Sequence, residues 1–135
     1  MTGIELTARD WIGLLTHLKR WVSNLLRAGE KRKTQSKEAL RSVIRAVRET
    51  EVYVRHLREG GAKSITTERE LAIRWTDLSF ALEDLELESL AKRCRIKGQE
   101  WADPSRFDKE FLDKAGTKLS EVEKVALLAL KNIKG

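Results

Sequence analysis

The amino-acid sequence predicts an all-α protein, an up-down helical bundle in which three long helices are closed by two shorter C-terminal helices. Two observations lead to this fold class. Apolar residues recur at three- and four-residue spacing over most of the chain, and no segment shows the strict apolar-polar alternation of a half-buried strand. The length of 135 residues and the 41% apolar content predict a single domain, residues 1–135, around one hydrophobic core.

The first predicted helix begins after a pattern that resembles a capping box at Thr7 and ends at Gly29. From Trp11 onward its apolar positions follow steps of three and four residues. The segment GEKRKTQS that follows is polar and basic, so we expect a mobile connector. Thr34 or Ser36 is the expected cap of the next helix.

The second helix is predicted from about Lys37 to Glu59, where one seam of apolar or small residues indicates nearly parallel packing against a neighbour. It stops at Gly60 and its neighbouring glycine. A third helix begins at a capping box that opens with Thr67. Its apolar face shifts by two residues near Glu86, which indicates a bend or a change of packing partner.

Glycines and one proline divide the C-terminal third. We expect Gly98 to end the third helix and the Asp-Pro pair at 103–104 to begin a short fourth helix. Trp101, between them, is expected to be buried at the junction. The fourth helix is predicted to end near Gly116, and Ser120 to open the fifth.

Cysteine content and hydropathy indicate a cytoplasmic protein. The single cysteine, Cys94, cannot form an intrachain disulfide, which favours a reducing compartment. The longest apolar run, VALLAL at 125–130, is too short to cross a bilayer, and the N-terminus lacks the pattern of an export signal. We therefore expect no membrane association.

The net charge of +6 is unevenly distributed along the chain. Residues 17–63 contain 13 Lys or Arg against 5 Asp or Glu, whereas residues 66–90 contain 2 against 7. This separation predicts either an acidic partner or a fold in which the chain's own basic and acidic helices lie side by side.

The second helix carries the most pronounced surface feature, an arginine stripe formed by Lys37, Arg41, Arg45, Arg48 and Arg55. At roughly 100° per residue these positions fall within an arc of about 80°, away from the apolar seam. The stripe either follows a phosphate backbone, meets an acidic protein surface, or is a solvated face that pairs within the fold. No aromatic residues for base stacking interleave with it. With the basic connector, the candidate binding residues are Lys31, Arg32, Lys33, Lys37, Arg41, Arg45, Arg48 and Arg55.

No motif in the chain predicts catalysis. Phosphate-binding loops and nucleophile elbows are absent, and neither histidine has the Glu-x-x-His spacing of helical di-iron sites. Helical ribonucleases of the HEPN type place an arginine about four to six residues ahead of a histidine on one helical face. Arg48 and His56 instead have seven residues between them. We expect a non-enzymatic protein without metal or cofactor, with a HEPN-like ribonuclease as the enzymatic alternative.

Tryptophans and leucines indicate where the chain packs. Trp11, Trp21 and Trp75 lie on the apolar faces of their helices, which predicts core positions. In the last helix, Leu127 and Leu128, together with Leu130, widen the apolar face beyond one stripe, so part of it is expected to meet a second chain.

Two segments, ERELAIRW at 68–75 and LAKRCRIKGQEWADP at 90–104, resemble small uncharacterised bacterial all-helical proteins and accessory domains. The resemblance covers roughly residues 66–107 and implies a bacterial cytosolic accessory module. Together these observations predict a helical protein-protein interaction module that self-associates or binds a protein partner. The alternative is a basic nucleic-acid-binding protein that uses the arginine stripe.

Overall fold

The chain folds into five α-helices in a computed structural model, which describes residues 3–102 and 109–134. No strand occurs in these two ranges, and the all-α class is therefore confirmed. The side chain of Trp11 and the Asp-Pro pair at 103–104 lie outside the described part of the chain. The helices are α1 (Gly3–Leu26), α2 (Glu30–Arg58), α3 (Ile65–Asp84), α4 (Glu88–Ala102) and α5 (Lys109–Lys134).

The basic segment after α1 is helical, so the predicted mobile connector is wrong. α2 begins at Glu30, its N-cap is Gly29, and no side chain caps it. Ser36, an expected cap, is instead a buried residue inside the helix. The segment is rich in good helix formers, and the guanidinium Nη2 of Arg32 donates a 2.6 Å hydrogen bond to the carbonyl of Leu85, which anchors the first turns to the end of α3.

The predicted third helix is two helices, α3 and α4, that reverse direction where the apolar phase slips. Glu86 has a left-handed backbone with φ 63°. The amide of Glu86 bonds the carbonyl of Glu83, and the amide of Leu87 bonds that of Leu82. This is the Schellman pattern of helix termination, with a glutamate where glycine is usual. The predicted bend is therefore a complete helix end.

Gly98 lies inside α4 and does not end a helix, contrary to the prediction. A Cβ at this position would lie 2.6 Å from Thr76 Oγ1 and 3.0 Å from the carbonyl oxygen of Ala72. The glycine therefore lets the backbone of α4 approach α3 closely. Its role is tertiary, because the close contact is with another helix.

The predicted fourth and fifth helices are one continuous helix. α5 has 26 residues and passes through Gly116 and Ser120, whereas α4 has only 15. The chain thus does not end in two short helices. A single buried stripe crosses the glycine and gives the helix a continuous packing face. Its members are Ala115, Leu119, Val122, Ala126, Ala129 and Ile133.

Each helix packs against two others, in the cyclic order α2, α3, α4, α1, α5 and back to α2. The consecutive helices α1 and α2 barely touch. Two ion pairs show that α5 runs antiparallel to α2, since Arg48 meets Glu123 and Arg58 meets Asp113.

One hydrophobic core contains residues from all five helices. A small internal space at its centre is lined by one or two side chains of each, including Leu18, Val43, Cys94 and Val122. Trp21, Trp75 and Trp101 are all buried, which confirms the packing roles predicted for them.

Two buried polar side chains in this core, Trp75 and Thr50, are hydrogen-bonded between helices. The indole of Trp75 donates a 2.9 Å hydrogen bond to the hydroxyl of Thr50, which in turn donates to the carbonyl of Ala46 at 2.7 Å. The bond between Trp75 and Thr50 fixes the position of α3 along α2.

Candidate interaction surfaces

The arginine stripe lies on the outer side of α2. Arg41, Arg45, Arg48 and Arg55 are exposed, and Lys37 is partly exposed. The helix places them on one side because the buried residues of α2, from Ala39 to Val54, occupy the opposite side. The stripe predicted from spacing is therefore a continuous surface more than three turns long.

Among the described residues, only two carboxylates form ion pairs with the arginine stripe. Glu38 lies 2.6 Å from Arg45 and 3.6 Å from Arg41, and Glu123 of α5 accepts a 3.0 Å hydrogen bond from Arg48 Nε. All three arginines remain about half exposed in these ion pairs. Such pairs contribute little to stability, so the arginines can readily exchange these carboxylates for another anionic partner. Within the described chain, the acidic end of α3 does not neutralise the stripe, since its Glu83 pairs with Arg95 of α4.

The three basic residues expected to extend the stripe from a loop are divided among different sides of α2. Lys31 is exposed. Arg32 projects to the opposite side of the helix, where it binds the carbonyl of Leu85. Lys33 is partly buried and lies 4.0 Å from Glu30. Arg32 therefore has a structural contact of its own and does not lengthen the stripe.

Beside the stripe, two carboxyl groups share a hydrogen bond between α2 and α5. Burial is the largest of the effects that raise the pKa of Glu51 from 4.5 to about 7. The hydrogen bond with Glu123 and the negative charge of Glu123 raise it further. The hydrogen bond from Glu51, supported by Arg48, lowers the pKa of Glu123. Sequence reasoning missed this pair, because the two residues lie on different helices and no local pattern joins them.

An acidic stripe of alternating charged and apolar residues runs along the outer side of α3. Ile73 and Phe80 are 56% and 53% exposed, and acidic residues precede, separate and follow them. The steps of three and four residues place the set within an arc of about 80°. Sequence reasoning recorded the acidity of this segment but not the two apolar side chains off the Leu71–Leu82 seam. The members of the acidic stripe are Glu70, Ile73, Asp77, Phe80 and Asp84.

A shallow groove of about 330 Å³ lies next to this stripe, between α3 and α4. Its α3 wall includes Ile73 and Asp77, and its α4 wall includes Gly98 and Ala102. The α4 wall is low, because Gly98 has no side chain and Ala102 has only a methyl group.

A leucine patch occupies the outer side of α5. Leu127 and Leu128 are 37% and 62% exposed, and the exposed Lys124 and Lys131 stand one helical turn to either side. Leu130, in contrast, packs against the core. The apolar surface of this helix therefore exceeds one stripe, as predicted from the sequence. The leucine patch consists of Lys124, Leu127, Leu128 and Lys131.

His56 and Arg48, the pair considered for a HEPN-like ribonuclease, have different hydrogen-bond partners. His56 is exposed, and its Nε2 lies 2.8 Å from the carbonyl of Ala62, whereas Arg48 is bound to Glu123. His17 on α1 is partly buried, and burial together with Arg20 lowers its pKa. In the described residues, no group of three or more His, Cys, Asp or Glu side chains is placed to hold a metal ion.

Several buried polar side chains form structural contacts. The hydroxyl of Tyr53 donates a 2.6 Å hydrogen bond to Glu68 and accepts one of 2.9 Å from the amide of Ser64. Burial and this bond to Glu68 raise the pKa of Tyr53 to about 12. Lys97, also buried, lies 2.7 Å from Glu100. The bonds of Tyr53 stabilise the connection between α2 and α3. The contact of Lys97 with Glu100 lies within the C-terminal half of α4.

Comparisons of the chain with protein families, curated proteins and solved structures find no match. The resemblance of residues 66–107 to bacterial accessory proteins gains no support from them. Among the described helices, none is long and apolar enough to cross a bilayer. The candidate functional surfaces of the chain are therefore the arginine stripe, the acidic stripe and the leucine patch.

Proposed function

We propose that the chain is a non-enzymatic helical interaction module that self-associates. One observation carries the proposal: four of the exposed large apolar side chains lie in two pairs, on separate outer surfaces whose charges have opposite sign. The acidic stripe presents Ile73 and Phe80, and the leucine patch presents Leu127 and Leu128. Contiguous apolar groups with a charged rim are typical of protein interaction sites.

The size of these surfaces predicts low affinity. Fully burying one large apolar side chain contributes about 1.5–3 kcal/mol, so the four side chains, which are about half exposed, supply roughly 3–6 kcal/mol when they become buried. Association itself costs about 4–15 kcal/mol in lost freedom of motion and side-chain ordering. We therefore expect reversible self-association that depends on protein concentration and weakens with salt.

Sedimentation velocity at low and high salt, over a wide range of protein concentration, tests the proposal. We expect the weight-average mass to exceed that of the 15.5 kDa chain and to rise with concentration at low salt. A particle that stays at the monomer mass at every concentration would refute self-association.

The cytoplasm is the compartment we propose for this module, as an accessory protein of a bacterial cell. The only cysteine, Cys94, is a fully buried free thiol, and burial raises its pKa well above the ordinary value. Such a thiol is unreactive and packs as a small apolar group.

Nucleic-acid binding by the arginine stripe is the second candidate function. It is favoured by the exposure of Arg41, Arg45, Arg48 and Arg55 along one side of α2. Among the described residues, only Glu38 and Glu123 form ion pairs with these arginines. From Arg41 to Arg55 the stripe spans about 21 Å at about 1.5 Å per residue, the length of several phosphates along one strand.

Fluorescence anisotropy with mixed-sequence duplex DNA and RNA, at increasing salt, tests this candidate. Each phosphate contact should contribute about −0.9 to the slope of log affinity against log salt for duplex DNA. We expect joint replacement of Arg41 and Arg45 by glutamate to abolish binding. The matched control replaces Arg69 and Lys92, which are exposed on α3 and α4, by glutamate and therefore changes the net charge by the same amount. Equal losses in both variants would show that the stripe is not a specific surface.

A further inference from the structure

The acidic stripe has the composition of one half of a helix-packing interface. Its five residues alternate acidic and apolar side chains at steps of three and four, and all five are exposed. Beside it, the groove along Gly98 and Ala102 leaves space for protruding side chains of a partner. The chemistry that fits this surface is apolar side chains with flanking positive charge.

The leucine patch has that chemistry. Its two leucines protrude from α5, with a lysine one turn before and one turn after them. The same polypeptide therefore carries both an acidic apolar surface and a basic apolar surface.

We propose that the acidic stripe of one molecule docks on the leucine patch of a second copy of this chain. This inference rests on the proposed self-association and names its two surfaces. Ile73 and Phe80 pack against Leu127 and Leu128, while Asp77 and its acidic neighbours on α3 meet the lysines.

One molecule cannot join its own two surfaces. The acidic stripe and the leucine patch belong to α3 and α5, which both flank α2 and share no extensive contact between their described residues. Each docked pair therefore leaves one free acidic stripe and one free leucine patch. Such a head-to-tail contact grows into a chain or closes into a ring.

A symmetric contact between two acidic stripes is disfavoured by charge. It would place Asp77 and Asp84 of one copy near the same carboxylates of the other, and like charges brought together across an interface cost several kcal/mol. Two leucine patches would bring lysines together in the same way. Only the pairing of unlike surfaces buries all four apolar side chains without this penalty.

Two charge-reversed variants test the proposal. The first replaces Asp77 and Asp84 by lysine on the acidic stripe, and the second replaces Lys124 and Lys131 by glutamate on the leucine patch. All four positions are exposed, and circular dichroism with thermal unfolding verifies the fold of each variant. In either variant alone, both surfaces carry the same sign of charge.

We expect each variant alone to self-associate at least about a hundredfold more weakly than the wild type, because like charges now oppose docking. Mixed in equal amounts, the two variants should assemble again, since the reversed surfaces of one complement those of the other. Sedimentation velocity of the separate and mixed proteins measures both effects.

The outcomes separate this inference from the proposed function. A wild-type chain that remains monomeric overturns both. A wild type that assembles together with variants that assemble equally well overturns the docking of these two surfaces and leaves self-association through another surface. Loss in only one variant, or failure of the mixture to assemble, likewise overturns the docking.

Discussion

The hydrogen-bonded carboxyl pair between α2 and α5 predicts a pH-dependent stability that the substitution Glu51→Gln removes. Because the pKa of Glu51 is raised from 4.5 to about 7, the folded chain keeps a proton that the unfolded chain has lost between these values. The stabilisation linked to this proton is complete below the unfolded pKa and is lost as the pH rises through the folded pKa.

The raised pKa corresponds to about 3 kcal/mol, at about 1.4 kcal/mol per pKa unit, before any allowance for solvent. Both carboxyl groups are partly exposed, so water and salt screen the interaction. We expect about 1 kcal/mol to remain in the measured free energy of unfolding. The lowered pKa of Glu123 has the opposite sign, and its stabilisation is lost as the pH falls below the ordinary range of a glutamate.

Urea unfolding followed by circular dichroism, at several values between about pH 5 and about pH 8, measures the effect. A glutamine donates a hydrogen bond to Glu123 at every pH and carries no charge. We therefore expect Glu51→Gln to match the wild type near pH 5 and to exceed its free energy of unfolding by about 1 kcal/mol near pH 8.

Glu59→Gln is the matched control, since it removes an exposed negative charge at the end of the same helix. It should shift the stability by a similar amount at both pH values. If the free-energy curves of Glu51→Gln and the wild type run parallel over the whole range, the shared proton does not exist and the reasoning is refuted.

Three further substitutions test the packing of the helices by thermal and urea unfolding. Glu86→Gly should stabilise the fold by about 1 kcal/mol, because glycine adopts the left-handed conformation without steric cost; a loss of stability would contradict the helix-end assignment. Gly98→Ala should destabilise it by about 1–3 kcal/mol, because the new Cβ lies 3.0 Å from a backbone oxygen of α3. Thr50→Val should cost about 1–3 kcal/mol by leaving the indole of Trp75 without its acceptor, and combining it with Trp75→Phe should cost less than the sum of the two single changes.

Sequence patterns that lie within one helix predicted several features correctly. The all-α class, the buried Trp75 and the arginine stripe all follow from spacing along a single helix, and the two-residue phase slip marked the turn at Glu86. Glycines misled the prediction at Gly98 and Gly116. An isolated glycine costs a helix only about 1 kcal/mol. Close contact with α3 outweighs that cost at Gly98, and burial of the α5 residues on either side of Gly116 outweighs it there.

The candidate surfaces were predictable only in part, for the same reason. The charge of α2 and of α3 can be counted in the sequence, and so can the extra leucines of α5. The exposure of Ile73 and Phe80 depends on which sides of α3 its neighbours cover. The bonds of Glu123 to Arg48 and Glu51 join residues far apart in the chain.

Apolar periodicity by itself thus determined that this chain is helical and which side of each helix is buried, because both depend on the fixed geometry of about 3.6 residues per turn. Only the tertiary structure decided where α2 begins, that α3 and α4 are separate, and which charges are neutralised. These features depend on free energies between distant residues, which are comparable to the local preferences and override them wherever two helices meet.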